Sequence, residues 1–381
     1  MKILVSAGEA SSDLYAACLV EALRRRASEA VFYGCAGPRM RAAGVRPVIE
    51  MERLAVVGLV EVIGHLPRIY TDFRRLVATA ERERPDVAIL ADSPDFHLRL
   101  AAKLRRLGVP VIHLVAPQAW AWREGRVRAM RRDLARLLCI FPFEEEFFRS
   151  RGVAATYIGH PLTRLVKPGL TRDEFFRKHR FPPDRPIVVL LPGSRTGEIE
   201  RHLPPLGAAV ERLYGRRATT FVLASPLSGP GKAFFKERVG RWPIQLIEGE
   251  TWAAIAYADL ALAASGTVTI EAALLGTPMV SFYRVNPLSW LAGRRMVKVP
   301  YLTMVNLVAG RSIVPELMQD RMSGERLAAE AVRLLENVEA RNRMKEDLAE
   351  VSRVLATGRD PIEAAADCVL EVAAKEAVHV S

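Results

Sequence analysis

Two glycine-and-hydroxyl turns in the second half of the chain have the make-up of a phosphate cradle. The first, Leu190-Leu191-Pro192-Gly193-Ser194-Arg195, follows an apolar run and opens a helical pattern. A strand ending in such a turn presents free backbone N–H groups and the positive end of a helix dipole. Arg195 adds a guanidinium fork suited to a diphosphate or a leaving phosphate, although an ordinary turn with a surface arginine has the same letters. The second is Ala264-Ser265-Gly266-Thr267-Val268-Thr269-Ile270-Glu271. Ser265, Gly266 and Thr267 can cap a helix and contact phosphate oxygens. Glu271 follows Thr267 by one turn on the same face, where its carboxylate can hold a ribose diol or simply complement the dipole. Two such turns in one half-chain point to a nucleotide held between them.

The first half supplies carboxylates. Leu90-Ala91-Asp92-Ser93-Pro94-Asp95-Phe96 brings two acids to the end of a buried run. Asp92 there can act as general base for an attacking hydroxyl, while Asp95 or Ser93 reads as a helix cap. In Ala7-Gly8-Glu9-Ala10-Ser11-Ser12-Asp13, Glu9 can bind sugar hydroxyls or cap the helix that follows. Trp120 and Trp122, two apart after another apolar run, can stack on sugars, cover acyl chains or fill a core. The stretch 54–64, with Val56, Leu59 and Ile63, is followed by Leu66, Ile69, Tyr70, Phe73 and the basic Arg68, Arg74 and Arg75. It fits a buried helix, or one lying apolar face down on an anionic membrane. His113 and His160 have no partner at metal-ligand spacing and read as hydrogen-bonded structural histidines. There is no GxxxxGK[ST], no GxGxxG and no Gly-x-Ser-x-Gly elbow, which counts against ATPase, dehydrogenase and esterase readings.

These groups need a frame. A chain of 381 residues, half of it hydrophobic, suggests two domains. Apolar runs at 3–6, 31–35, 87–91, 111–115 and 137–141 alternate with helical patterns at 11–26, 96–107 and 143–151. A second series runs through 187–191, 220–224, 244–247, 260–264 and 279–282. Short β-rich runs separated by amphipathic helices imply doubly wound parallel sheets, with ligands expected at the carboxyl ends of the strands, in a cleft between the two. A linker over 159–186 with a short helix near 172–179 separates the series, and the chain beyond 322 reads as helical to 377.

The balance of 55 Lys and Arg against 43 Asp and Glu gives +12, which favours a polyanionic partner, but the arginines are scattered. Cys18, Cys35, Cys139 and Cys368 lie far apart, without disulfide or zinc spacing, and fit a reducing compartment. The first apolar run is too short for a signal-peptide core, and no run reaches the roughly 18–20 residues that span a bilayer.

In order along the chain stand GEASSD at 8–13, AGPRM at 36–40, the 54–64 stretch, DSPDF at 92–96 and Trp120 to Trp122. Pro142-Phe143-Glu144, Gly159-His160, PGSR at 192–195, the 265–271 turn and VPELMQ at 314–319 follow. Together they resemble the lipid-A-disaccharide synthase family. The resemblance implies a GT-B fold: two Rossmann-like domains at 1–165 (acceptor) and 166–357 (nucleotide-sugar), with a helix over 358–381 returning to the first. It implies an inverting, metal-independent reaction without cofactor, between UDP-2,3-diacylglucosamine and 2,3-diacylglucosamine 1-phosphate (lipid X). Carried over by motif, Asp92 deprotonates the acceptor 6-hydroxyl, Glu9 is a second active-site carboxylate, and Arg195 steadies the departing UDP. Asn306, Glu316 and Gln319 match nucleotide-sugar pocket positions. Val56, Leu59, Ile63, Trp120 and Trp122 become acceptor or membrane contacts. The family also implies a cytoplasmic protein, peripheral on the anionic inner face of the inner membrane, able to form a homodimer by C-terminal exchange. Ser12 stands where the resemblance expects glycine, and a side chain there narrows the Glu9 turn. The milder variants are Ala116 and Gln118. A UDP-sugar 2-epimerase or another GT-B enzyme is the nearest rival. A nucleic-acid-binding protein would leave the ordered turns unexplained.

Overall fold

The computed structural model describes residues 1–53, 59–216, 218–225, 235, 237–287, 290–291 and 299–380. The chain divides into two compact units, Met1–Arg164 together with Leu355–Ser381, and Leu165–Val354.

The first unit is built on β1 (Lys2–Ala7), β2 (Val31–Ala36), β3 (Arg46–Glu50), β4 (Val87–Ala91), β5 (Val111–Leu114), β6 (Arg136–Cys139) and β7 (Ala155–Tyr157). They form one sheet in the order β3-β2-β1-β4-β5-β6-β7. Every pairing is parallel. The central strands are buried along their length rather than alternating, β1 from Ile3 to Ala7 and β4 and β5 at every residue, as expected where helices cover both faces of a sheet. The strand order reverses between β1 and β4. This is the topological switch point, where the turns leaving neighbouring strands open a crevice at their carboxyl ends.

The second unit repeats the plan. Its strands are β8 (Ile187–Leu191), β9 (Thr220–Ser225), β10 (Ile244–Glu248), β11 (Leu260–Ala264), β12 (Met279–Tyr283) and β13 (Glu316–Met318). They run β10-β9-β8-β11-β12-β13, again parallel. Here the reversal falls between β8 and β11. The strands β3, β7 and β13, which end their sheets, are short and were not anticipated from the sequence.

The helix Pro361–Val380 packs within the first unit against the helix Ala10–Arg26. Its start is capped by Asp360, whose Oδ1 accepts from Ile362 N at 2.9 Å. Arg25 and Arg26 pair with Glu363, and Arg26 also with Asp367. The 54–64 stretch leads into the helix Leu59–Glu83. Val56 lies outside the described residues, and for Leu59 and Ile63 only the helical backbone is described. Further along, Asp72 is buried and bound by Arg53, while Leu66 (49% exposed) and Tyr70 (63%) face outward. No helix among the described residues is long and apolar enough to cross a membrane.

Candidate active site

The first switch point places the Glu9 and Asp92 turns side by side. β1 and β4 run in register up to Ala7 opposite Ala91, so the two turns leave the sheet together. They touch at Gly8, where a Cβ would stand 1.9 Å from Ser93 Oγ, so only glycine fits. Asp92 and Ser93 both have left-handed backbones, with φ of 57° and 45°. Consecutive non-glycine residues in that region are strained and persist only where their surroundings hold them. Asp92 N donates to Leu114 O at 2.9 Å, extending the β4–β5 ladder by one residue. The Asp92 carbonyl meets His97 Nδ1 at 2.7 Å, and the side chain is half-buried.

Glu9 is the N-cap of the helix Ala10–Arg26. Ser12 does not disturb this turn. Its buried Oγ accepts from Gly8 N at 3.3 Å and Glu9 N at 3.0 Å and donates to Glu9 O at 2.8 Å. The narrowing expected at this position is therefore a tie that satisfies two helix-start N–H groups. Asp13 is structural: its carboxylate accepts from Arg39 N (2.9 Å) and Met40 N (3.1 Å), capping the helix of the AGPRM segment.

The tryptophans part company. Trp120 Nε1 donates to the buried Glu144 at 3.2 Å, and its ring packs edge-on against Phe143 at 5.0 Å. Glu144 also accepts from Ile140 N and Phe141 N, both at 3.1 Å. Burial pushes its carboxyl up to about 7 against the opposing pull of those N–H donors. Trp120 thus belongs to the packing that holds the PFE segment. Trp122 is half-buried beneath the guanidinium groups of Arg123 and Arg126, 4.5 and 5.4 Å from its ring centre. Both arginines pair with the exposed Asp95, which is held by them rather than serving as a helix cap. His113 and His160 are buried, and desolvation lowers both to about 3, so they are neutral structural side chains. Among the described residues, no group of three His, Cys, Asp or Glu is placed to hold a metal ion.

At the second switch point β8 and β11 run in register up to Leu191 opposite Ala263. This sets the 192–195 and 265–267 turns next to each other. Gly193 turns the chain at φ 112°, Ser194 is exposed, and Arg195 is the N-cap of the helix Thr196–Tyr214. Arg195 Nη1 reaches Glu198 Oε1 at 3.3 Å, and Tyr283 Oη donates to the same oxygen at 2.7 Å. Burial beside this carboxylate raises the Tyr283 phenol. His202, buried and with its pKa lowered mainly by desolvation, bonds Pro192 O at 2.7 Å and accepts from Arg284 N at 3.0 Å. It pins the turn to the end of β12.

Gly266 and Thr267 are exposed at the start of the helix Thr267–Leu274. Ser265 Oγ donates to Leu302 O at 3.2 Å. Glu271 is raised by desolvation, partly offset by a hydrogen bond to Trp252. The remaining pocket candidates serve the loops. Asn306 is fully buried: Nδ2 donates to Val314 O (3.0 Å) and Glu316 Oε1 (2.8 Å), while Oδ1 accepts from Ile313 N (2.8 Å) and Val314 N (3.0 Å). That fills its amide. Glu316 also accepts from Leu302 N, Thr303 N and Thr303 Oγ1. Gln319 makes a two-way bond with the Val285 backbone, at 2.7 and 3.2 Å. These side chains shape the loop against which Ser265 rests.

His97, Glu198, Tyr283 and Thr303 were not singled out from the sequence. Glu198 had one usable signal, three residues after Arg195 on a helix.

The family described as lipid-A-disaccharide synthetase matches residues 3–370. A lipid-A-disaccharide synthase of Solibacter usitatus (strain Ellin6076) is 60% identical over 380 residues, covering 100% of both chains. One from Myxococcus xanthus (strain DK1622) is 43% identical over 375 residues, 97% of each. Among solved structures, the S. aureus MnaA–UDP co-structure aligns with TM-score 0.66 at 14% identity, covering 94% of this chain and 93% of that one. CalG4, the calicheamicin glycosyltransferase, aligns at 0.62 and 13%, with 98% of each chain covered. At those identities the likeness speaks for the fold, two Rossmann-like domains of the GT-B kind. With its full length matched by the family and by close relatives, the chain belongs to the lipid-A-disaccharide synthases, UDP-sugar-dependent glycosyltransferases of lipid A biosynthesis.

Proposed function

We propose that the chain transfers 2,3-diacylglucosamine from UDP-2,3-diacylglucosamine to the 6-hydroxyl of lipid X, with inversion and without a metal. The products are the β-1,6-linked disaccharide 1-phosphate and UDP. The observation behind the assignment of roles is the strained Asp92 turn packed on the Glu9 turn at a switch point. Asp92 takes the 6-hydroxyl proton as the oxygen attacks the anomeric carbon, and the bond from that carbon to UDP breaks. Glu9 orients acceptor hydroxyls. Negative charge builds on the departing diphosphate, where Arg195 and the N–H groups of the 193–197 turn stabilise it. Gly193, Ser194, Ser265, Gly266 and Thr267 hold the phosphates and Glu271 the ribose, while Asn306, Glu316 and Gln319 fix the surrounding loops.

Both substrates are acylated and phosphorylated, which calls for a surface that meets lipid. Leu66 and Tyr70 face outward beside the exposed Arg68, Arg74 and Arg75. In sequence they follow the apolar series of Val56, Leu59 and Ile63, and the exposed arginines suit an anionic inner-membrane face. Trp122 under its two arginines is the aromatic placed to meet the acceptor. The ion pairs that dock the C-terminal helix on the helix Ala10–Arg26 would serve equally between two copies, giving a homodimer by exchange.

Purified protein incubated with the donor alone, and with donor plus lipid X, tests the reaction. UDP should appear only when both are present. A 2-epimerase would instead convert the donor alone, returning an intact UDP-sugar epimer.

A further inference from the structure

We propose that His97 is a positioning residue for this reaction: its imidazole, locked in the Nδ1–H form, grips the Asp92 carbonyl and keeps the Asp92–Ser93 turn in the strained conformation that presents the Asp92 carboxylate. The proposal rests on the reading of Asp92 as the base.

The tautomer follows from the partners. Nδ1 stands 2.7 Å from a backbone carbonyl, which can only accept, so Nδ1 carries the hydrogen. Nε2, 2.8 Å from Ser6 Oγ, is then a lone pair that accepts from the Ser6 hydroxyl. His97 is fully buried, and desolvation lowers it to about 4, so the neutral form persists at ordinary pH. The chain from Ser6 through His97 to Asp92 runs from β1 to the end of β4, across the switch point.

His97 holds the turn twice. Its backbone N–H donates to Ser93 O at 3.0 Å while its ring grips the residue before. Left-handed, non-glycine Asp92 and Ser93 need such over-determination. Without the ring, Asp92 O would lose its 2.7 Å donor, and the turn would have one hold fewer against relaxing toward the ordinary helical region. The carboxylate would move with it, and displacements of about 1 Å at a reacting group lower rates by large factors. His97 touches no substrate, and its effect passes through Asp92.

Two amide replacements separate positioning from packing. Asn carries an N–H near the place of Nδ1, and Gln carries one near Nε2. His97→Asn should retain kcat within about threefold. His97→Gln should lose tenfold or more in kcat, with KM for the UDP-sugar and UDP affinity unchanged and both proteins melting cooperatively. Equal kcat in the two folded variants overturns the proposal. As a second check, Ser6→Ala removes the donor that anchors the ring at Nε2 and should lower kcat severalfold. Wild-type kcat in that variant contradicts the lock. Asp92→Asn runs beside them. If it is inactive while His97→Gln is fully active, the positioning role fails and the base stands. If Asp92→Asn turns over normally, the base assignment fails and this inference with it.

Discussion

Asp92 and Arg195 handle opposite ends of one charge transfer. In the proposed reaction Asp92 takes up a proton on the acceptor side, and Arg195 meets negative charge on the donor side. Removing a charged donor that acts mainly in the transition state typically costs 10²–10³ in kcat. Arg195→Ala should therefore lower kcat by about that factor, with a smaller change in KM for the UDP-sugar, in steady-state assays of UDP release. Arg195→Lys should recover only part of it, because an ammonium cannot bond two oxygens with one planar fork. The turns that carry Asp92 and Arg195 were legible in the sequence because each follows a buried run. Ser12 was not. Its identity suggested obstruction, whereas its hydroxyl bonds Gly8 N, Glu9 N and Glu9 O. Ser12→Ala, which leaves two N–H groups without that acceptor, should cost about 1–3 kcal/mol in urea unfolding. The bond from Trp120 to Glu144 was out of reach too, since its partner lies 24 residues away and no spacing rule reaches it.

At the scale of elements, the turns were visible in the sequence, and a doubly wound sheet already sets the Glu9 turn beside the Asp92 turn, but the residue register was not legible. Local pattern marks where a strand ends. Which strand lies beside it is set by long-range pairing, as in Ala7 opposite Ala91. The strands β3, β7 and β13 escaped notice because none holds more than two consecutive aliphatic residues. Their pairing comes from the sheet, not from intrinsic preference. The same holds for the loop centred on Glu316, whose carboxylate gathers Leu302, Thr303 and Asn306. Glu316→Ala takes one of two acceptors from the Asn306 Nδ2 and removes the acceptor of the Thr303 hydroxyl, beneath the Ser265 turn. We expect it to raise KM for the UDP-sugar and lower the melting temperature together, whereas Glu271→Gln should change KM with the smaller effect on melting. A Glu316→Ala protein with wild-type stability and KM would show that the loop does not need this carboxylate.

For the whole molecule, the parallel α/β class followed from run length and apolar content. The interior proton balance did not. His97, His113 and His160 are all buried in the first unit, with pKa values lowered to about 4, 3 and 3. Below the ordinary value of 6.5 the unfolded chain binds protons that the folded chain refuses. Stability is thus full above pH 6.5 and is lost as pH falls toward 4, by about 1.4 kcal/mol per unit for each histidine. Glu144, raised to about 7, works the other way: its contribution is largest below pH 4.5 and is lost as pH rises to 7. With His202 also lowered and Glu271 also raised, four histidines against two carboxyls predict a urea midpoint that falls between pH 6.5 and 4.5. The drop should be steeper in Glu144→Gln, which lacks one of the opposing groups, and a flat profile in both would contradict the burial argument. The central claim is a single displacement with Asp92 as base. The most direct measurement is a time course of UDP and disaccharide 1-phosphate from the donor and lipid X, run with wild type and Asp92→Asn. The prediction is equimolar UDP and disaccharide from the wild type, and no turnover by a variant that still binds UDP. Disaccharide formed by Asp92→Asn at the wild-type rate, or UDP released without disaccharide, would contradict it.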